Sequence, residues 1–280
     1  MIEARVECDS IGENGERLTT VVGTLPRFML PELNTHRVFS RNSASSRAIP
    51  MSKMIARVQD DPAVPVEFGS NKPGMQAGEE DESVAKSARE VWLAARDTAV
   101  EHAQMMEHMG IHKQVTNRLL EPFMWHEVVL TGTEWDGFFD QRISELAQPE
   151  IRVFAQAVKE AMDASEPEEI GVDGWHLPFI QPDEKNLTHK VRVAASVARC
   201  ARVSYLNHDG VRDIEKDIDL FIKLVTAQPP HASPLEHIAM WTPATAPKES
   251  YRNFTRGWIQ FRAIIEDGML PIEELVDALR

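Results

Sequence analysis

The sequence predicts an α+β fold, an antiparallel-rich sheet joined to a large helical half, and two observations carry that prediction. Ile2, Ala4, Val6 and Cys8 alternate with charged or polar residues, and Asn14-Gly15 then offers a turn before the β-rich run Arg17 to Val22, which reads as an N-terminal hairpin. Val84, Ala88, Val91, Ala95 and Ala99 recur at spacings of three and four, the period of a helix, until Gly110 stops the pattern. No Gly-x-Gly-x-x-Gly or Gly-x4-Gly-Lys-(Ser/Thr) string occurs, which removes the commonest dinucleotide and nucleoside-triphosphate loops.

Along the chain, a helix carrying Phe28 and Leu33 follows Thr24-Leu25-Pro26, since proline is tolerated in a first turn. Ile49 to Gly78 holds Pro50, Pro62, Pro65 and Pro73 and reads as loop, apart from a short helix after Ser52. Carboxylates at Glu79 to Glu82 suit the positive end of the long helix Ser83 to Met109. Helices over Lys113 to Leu130, Thr133 to Ser144 and Pro149 to Met162 complete a helical half spanning about 83–164. Ser165 to Glu184, rich in Pro, Gly and acids, reads as a linker within one domain covering 1–280. Helices near Val191 to Arg202 and Arg212 to Thr226, a buried strand over His237 to Thr242, and helices near Ser250 to Ile265 and Pro271 to Leu279 close the chain.

Composition bounds the function classes. The 42% apolar content suffices for a sizeable core, and 44 acids against 30 bases give a net charge of −14, against a surface built as a whole for nucleic acid or an anionic membrane. Two cysteines, Cys8 and Cys200, are too few for a disulfide scaffold, and no run approaches a membrane span, so a cytoplasmic protein is expected. His126-Glu127-Val128-Val129-Leu130 lacks the second histidine of a zinc helix, and His108 and His112 flank Gly110 and read as surface residues.

Leu33 to Gln59 stands apart electrically: 27 positions hold Arg37, Arg41, Arg47, Lys53 and Arg57 and no Asp or Glu. At the acid frequency of this chain such a window arises by chance roughly one time in a hundred. Asn42, Ser40, Ser43, Ser45 and Ser46 are interleaved with the arginines, and guanidinium forks beside small hydroxyl groups are what a phosphate needs. A solvated basic loop accounts for the same composition, as does a non-catalytic nucleic-acid module using Arg37 to Arg57. The second informative string, His231-Ala232-Ser233-Pro234-Leu235-Glu236-His237, gathers two imidazoles, a hydroxyl and a carboxylate around one proline. It also reads as a helix start capped by Ser233 with Glu236 three positions later.

Thr35-His36-Arg37, seven residues, then Ser45 resembles the Arg-His-Arg-x7-Ser signature of the flavin-dependent thymidylate synthases, with Ser45-Ser46-Arg47 matching its Ser-x-Arg end. His231 to His237 resembles the family's His-x-(Ser/Thr)-Pro-x-Glu-His segment, and Ala201-Arg202-Val203-Ser204 the helix end before it. Arg118 and Pro122 resemble an Arg-x3-Pro element, and Phe138 to Ile151 the Phe-x3-Arg-x4-Ala-Gln-x-Glu-Ile stretch. The proline-centred segment follows the arginine signature here instead of preceding it, so the order is rearranged in the manner of a circular permutation. Thr35 replaces the signature's first arginine, Glu32 an expected glutamine, and Thr131 and Thr133 the Asn and Arg that help hold flavin. This divergent form resembles bacteriophage-encoded members.

The resemblance implies a thymidylate synthase complementing protein-like fold and C5 methylation of a pyrimidine deoxynucleotide monophosphate, dUMP to dTMP, with FAD as cofactor and methylenetetrahydrofolate and NADPH as co-substrates. No cysteine nucleophile is required, leaving Cys8 and Cys200 to packing. By resemblance Ser45, Ser46 and Arg47 would cradle the phosphate, with Asn42 beside them, and Arg118 and Arg142 would approach the pyrimidine; Ser45, Arg118 and Arg142 are the catalytic candidates. His36, Arg37, Ser204, His231, Ser233 and Glu236 would hold FAD, with Thr131 and Thr133 at flavin-contact positions. A homotetramer with active sites between subunits is implied, the arginine loop of one copy facing another. Because uracil presents an acceptor at O4 and cytosine an amine at N4, Glu32 and Thr35 raise a dCMP methylase or hydroxymethylase as the alternative on the same scaffold. A degenerate, inactive homologue is a further reading of the missing residues.

Overall fold

A computed structural model describes residues 1–203, 212–243, 248–255 and 257–280. The elements run β1 (Glu3–Gly12), β2 (Arg17–Pro26), α1 (Leu30–Asn34), β3 (Ser40–Ser43), α2 (Met51–Asp60), α3 (Glu82–His108), α4 (Lys113–Thr116), β4 (Trp125–Gly132), α5 (Asp136–Arg142) and α6 (Pro149–Asp163). There follow β5 (Glu168–Ile170), β6 (Trp175–His176), α7 (His189–Arg202), α8 (Ile214–Thr226), β7 (Ala239–Trp241), α9 (Lys248–Tyr251), β8 (Trp258–Gln260), α10 (Phe261–Glu266) and α11 (Ile272–Asp277). The main sheet has the order β3-β4-β2-β1-β5, antiparallel except for the β1–β5 pair. A second, antiparallel sheet has the order β6-β7-β8.

Strand alternation makes the sheet the middle of three layers. Val21, Leu25, Val128 and Leu130 face α6, where Ile151, Phe154 and Val158 close the core. A Cβ at Gly23 would run into the Phe154 ring, so glycine sets how closely α6 approaches. Val22 and Val129 point the other way, into Val193, Val197 and Cys200 of α7, Phe221 of α8 and Phe261 of α10. A third cluster joins α2 and α3 through Met54, Val58, Val100, Ala103 and Leu120. Arg199 of α7 crosslinks the second layer: its guanidinium grips Glu184 with two bonds at 2.6 and 2.7 Å and Asp217 of α8 at 2.9 Å. No helix of the described residues is long and apolar enough to cross a membrane.

Two expectations change here. The helix expected over Lys113 to Leu130 is only α4 and a 3-10 turn, Asn117–Phe123; the chain then extends as β4, paired with both β2 and β3. Pro122, which has no N–H to continue an α-helical ladder, lies in the 3-10 turn that closes with the Met124 N–H on the Glu121 carbonyl, and a strand buried on both faces shows a continuous apolar run, as Val128-Val129-Leu130 does, instead of alternation. The stretch 83–164 is mostly helical, as expected, and also contains a central strand of the sheet. The expected linker, Ser165 to Glu184, contributes β5 to the main sheet and β6 to the second, and ends in the 3-10 turn Pro182–Glu184. Cys200 is fully buried, and burial pushes the Cys8 thiol up to about 12, as befits packing residues.

Candidate active site

The short helix α1 begins with Pro31 in its first turn and buries Leu33, which leaves Glu32 and Thr35 toward the last turn of α5. There Arg142 donates from Nε to His36 Nε2 at 2.8 Å and from Nη2 to Thr35 Oγ1 at 2.8 Å, with the Glu32 carbonyl at 3.4 Å. Accepting at Nε2 requires a neutral His36 imidazole. Burial, then the positive charges of Arg142 and Arg41, lower its pKa and keep it so. Phe138 of α5 meets the His36 ring edge-on at 5.0 Å and Phe39 at 5.5 Å, fixing the imidazole from below. Glu32, Thr35, His36 and Arg142 thus converge. Glu32 Oε2 is sealed from water and accepts no hydrogen bond among the described residues.

The remaining arginine-loop residues separate. Ser46 is buried and donates to Glu121 Oε1 at 2.7 Å, the carboxylate that also pairs with Arg118 at 2.7 Å and Arg27 at 3.5 Å. Its hydroxyl is committed to protein, whereas Ser45 is half-buried and Arg47 exposed. Arg27, Phe28, Leu30, Pro31, Arg118, Glu121 and Pro122 line a shallow cavity of about 360 Å³. Asn42 is an interior tie rather than a pocket group: its amide donates to the Cys200 carbonyl at 3.1 Å, pinning β3 to α7.

The proline-centred string forms a 3-10 turn, Ser233–His237, with Pro234 and Leu235 buried. Its N-cap is Ala232 and no side-chain capping bond forms, so the capping reading of Ser233 fails; Ser233 and His231 are exposed. Behind the turn a chain of polar groups crosses the interior. His237 Nδ1 lies 2.8 Å from Thr131 Oγ1, Thr131 2.7 Å from Thr20 Oγ1, Thr20 2.8 Å from His176 Nε2, and His176 Nδ1 2.8 Å from Ser10 Oγ. Thr131 is a fully buried member of that chain, which corrects its placement against a flavin. Thr133 Oγ1 accepts the Thr255 backbone N–H at 3.0 Å and serves as a loop tie. Ser204 lies outside the described residues.

The two informative segments meet. Gln260 Nε2 is 3.1 Å from Ser40 Oγ, 3.2 Å from the Glu236 carbonyl and 2.9 Å from Asn253 Oδ1, while Asn253 Nδ2 donates to the Val38 carbonyl at 2.9 Å. Between the segments opens a cavity of about 500 Å³ lined by Arg37, Phe39, Arg41, Glu236 and four residues of the C-terminal stretch, Arg252, Asn253, Gln260 and Arg262, with Glu266. Burial lowers the Arg41 guanidinium pKa, Glu236 opposing and Arg37 adding to the fall. This meeting occurs within one chain, where contact across a subunit boundary was expected. The C-terminal contributors carry no motif; the available signal was a second acid-free stretch, 250–265, holding Arg252, Arg256 and Arg262.

The family model for thymidylate synthase complementing protein matches residues 16–168, more than half of the chain. Among the curated proteins, none matches. Among solved structures, the chain is similar to a UMP/dUMP methylase, PolB, from Streptomyces cacaoi bound with 5-Br UMP, at 14% identity over 58% of this chain and 88% of that one, TM-score 0.46. It is also similar to thymidylate synthase X from Helicobacter pylori with FAD and dUMP, at 20% identity over 52% of this chain and 67% of that one, TM-score 0.36. The matched residues include the whole Thr35 to Arg47 signature, Arg118 and Arg142, whereas the Ser233 to His237 turn lies beyond them. The chain belongs to the thymidylate synthase complementing protein family, the flavin-dependent thymidylate synthases, and is a flavin-dependent one-carbon transferase.

Proposed function

We propose that the protein methylates C5 of a pyrimidine deoxynucleotide monophosphate, converting dUMP to dTMP with methylenetetrahydrofolate and NADPH as co-substrates and FAD as the resident cofactor, in a homotetrameric assembly. The observation that carries this reading is Arg142, oriented by His36 and Thr35 of the signature, as described above. Its Nε and Nη2 are engaged, and Nη1 has no hydrogen bond among the described residues. Nη1 is the donor left for a pyrimidine oxygen, where positive charge stabilises the electron density that accumulates as C5 becomes nucleophilic. Ser45, Arg47 and Arg118 remain accessible for the phosphate.

The basic cavity suits FAD: Arg37 has no ion pair or hydrogen bond among the described residues, Arg41 and Glu236 stand beside it, and the neutral His36 lies one residue away. Bound flavin supplies the redox equivalents of the reaction. His36 does not exchange protons in this scheme; it holds Arg142, and its neutrality prevents repulsion between the two.

Glu32 favours a second reading, methylation or hydroxymethylation of dCMP. A carboxylate oxygen closed off from water without a donor is costly, and the N4 amine of cytosine would satisfy it where the O4 of uracil would not. Tritium release from 5-tritiated dUMP and dCMP, with NADPH bleaching of the flavin absorbance, separates the readings. Release from dUMP at least tenfold faster supports dTMP synthesis; the reverse preference transfers the assignment to dCMP; bleaching absent and release from neither overturns both.

A further inference from the structure

We propose that Asn117 is a positioning residue for the substrate phosphate. Together with Lys113 it holds the carbonyls of segment 45–49 inward, so that the backbone N–H groups of that segment join the Ser45 hydroxyl and Arg47 in a preformed anion cradle. The inference deepens the proposed function and rests on its placement of the phosphate at Ser45, Arg47 and Arg118.

Hydrogen bonding is the first argument. Asn117 is 0% exposed, and its side-chain amide donates to the Ser46 carbonyl at 2.7 Å and to the Ile49 carbonyl at 3.0 Å. An amide nitrogen carries two hydrogens, so both are spent on this segment. Lys113, at the start of α4, donates from Nζ to the Ala48 carbonyl at 3.0 Å, and the Ala48 N–H closes a turn on the Ser45 carbonyl at 3.0 Å. The carbonyls of Ser45, Ser46, Ala48 and Ile49 are therefore all occupied from within the protein. In a planar trans peptide the N–H points opposite to the C=O. Drawing the Ser46 carbonyl to Asn117 accordingly turns the Arg47 N–H away from Asn117, and drawing the Ala48 carbonyl to Lys113 turns the Ile49 N–H away from Lys113. The backbone N–H groups of Ser45, Ser46, Arg47 and Ile49 meet no acceptor among the described residues, although Ser46 and Ile49 are buried. Unpaired N–H groups in such a setting are costly, and successive ones form an anion-binding concavity.

Preorganisation is the second. Asn117 opens the 3-10 turn Asn117–Phe123, so Arg118 follows it directly and Glu121 lies about one turn further on. The bond from Ser46 Oγ to Glu121 closes the same junction from its other end. Segment 45–47 and Arg118, the two elements that would grip the phosphate, are thereby locked to each other before substrate arrives, which removes their ordering from the cost of binding. Asn117 Oδ1 accepts no hydrogen bond among the described residues, so this side chain serves through its two donors alone.

A tie that only stabilises the fold affects every ligand alike, whereas a positioning residue for the phosphate affects only ligands that carry one. The full chain and its Asn117→Ala, Lys113→Met and Lys113→Arg variants, each checked for folding by thermal unfolding, are titrated with dUMP, deoxyuridine, dCMP, deoxycytidine and FAD. The wild type is expected to bind one of the two monophosphates at least about tenfold more tightly than its nucleoside, and either choice of base supports the cradle. Asn117→Ala should weaken that monophosphate about tenfold or more while its nucleoside and FAD stay within about twofold. Lys113→Met should weaken it about threefold, and Lys113→Arg, which keeps a donor, should stay within about twofold of the wild type. Folded variants that bind the monophosphate as the wild type does overturn the inference and leave the proposed function standing. An equal loss for monophosphate, nucleoside and FAD also overturns it, since Asn117 is then a tie of the fold alone. A wild type that binds neither monophosphate better than its nucleoside overturns the inference together with the placement of the phosphate. Should Asn117→Ala fail to fold, the contrast between Lys113→Met and Lys113→Arg decides the outcome.

Discussion

Between pH 7.5 and pH 5 the protein is expected to lose about 6 kcal/mol of folding stability. His126, His176 and His237 are fully buried, and burial lowers each imidazole pKa from 6.5 to about 3, with the charge of Arg27 adding to the effect at His126. In the unfolded chain they take up protons near pH 6.5, whereas in the folded chain they stay neutral until about pH 3. Below pH 6.5 the unfolded state therefore binds more protons, and stability falls as pH falls across that window, being complete only above it. At pH 5 each histidine accounts for about 2 kcal/mol, and three of them approach the whole stability of an ordinary domain, about 5–15 kcal/mol. Glu7 and Glu127, whose carboxyls burial raises, act in the opposite sense, while His36 and His189, whose imidazole pKa burial lowers, add to the loss. Urea unfolding at the two pH values measures the difference; midpoints that coincide would show that the imidazoles are hydrated or charged in the native state. The consequence reaches the site, because His176 and His237 are two stations of the buried polar chain behind the Ser233 to His237 turn.

Replacing Arg199 by alanine is expected to cost about 3–5 kcal/mol, because it strands two carboxylates rather than removing one favourable pair. The Asp217 side chain is 0% exposed and would keep only Arg202, at 2.5 Å, while Glu184 is 8% exposed and would keep only Arg212, at 3.8 Å, as an ion-pair partner. Burial already raises the Asp217 carboxyl pKa despite two guanidinium neighbours, whereas the Arg199 hydrogen bonds hold that of Glu184 down. The substitution should accordingly raise both, so that the variant is least impaired at acidic pH. Thermal or urea unfolding tests this, and a loss below about 1 kcal/mol would mean that the cluster is solvated. The network joins α7, α8 and the 3-10 turn at Pro182–Glu184.

Long, one-sided elements were legible from sequence. The hairpin appears as β1 and β2, and the helix expected over Ser83 to Met109 spans Glu82–His108. Pro149 to Met162 became Pro149–Asp163, and Arg212 to Thr226 became Ile214–Thr226. Elements buried on every side lose their periodicity, and were legible only where a turn signal marked them, as Asn14-Gly15 marks β2. That is why β4 read as helix, and why 250–265 read as one helix although it holds the end of α9, then β8, then α10. Motif reading found residues with unusual chemistry at fixed spacing, hence Thr35, His36 and Arg142. It could not separate a buried Asn42 or Thr131, which satisfies the interior, from a group that faces a ligand. Arg252 and Arg262 reach the cavity only through the pairing of β7 with β8 and the Asn253 tie, which no local pattern announces.

Whether one chain completes its own cofactor cavity is decided by complementation. Arg37→Ala and Glu236→Ala variants, each carrying a different affinity tag, are produced together, purified through both tags, and compared with the wild type for flavin binding. A cavity built from Arg37 and Glu236 of the same chain leaves every site in the mixed assembly with one defect, and binding should stay as low as in either variant alone. Recovery of a quarter or more of wild-type flavin binding would place the two residues in different subunits and contradict the account.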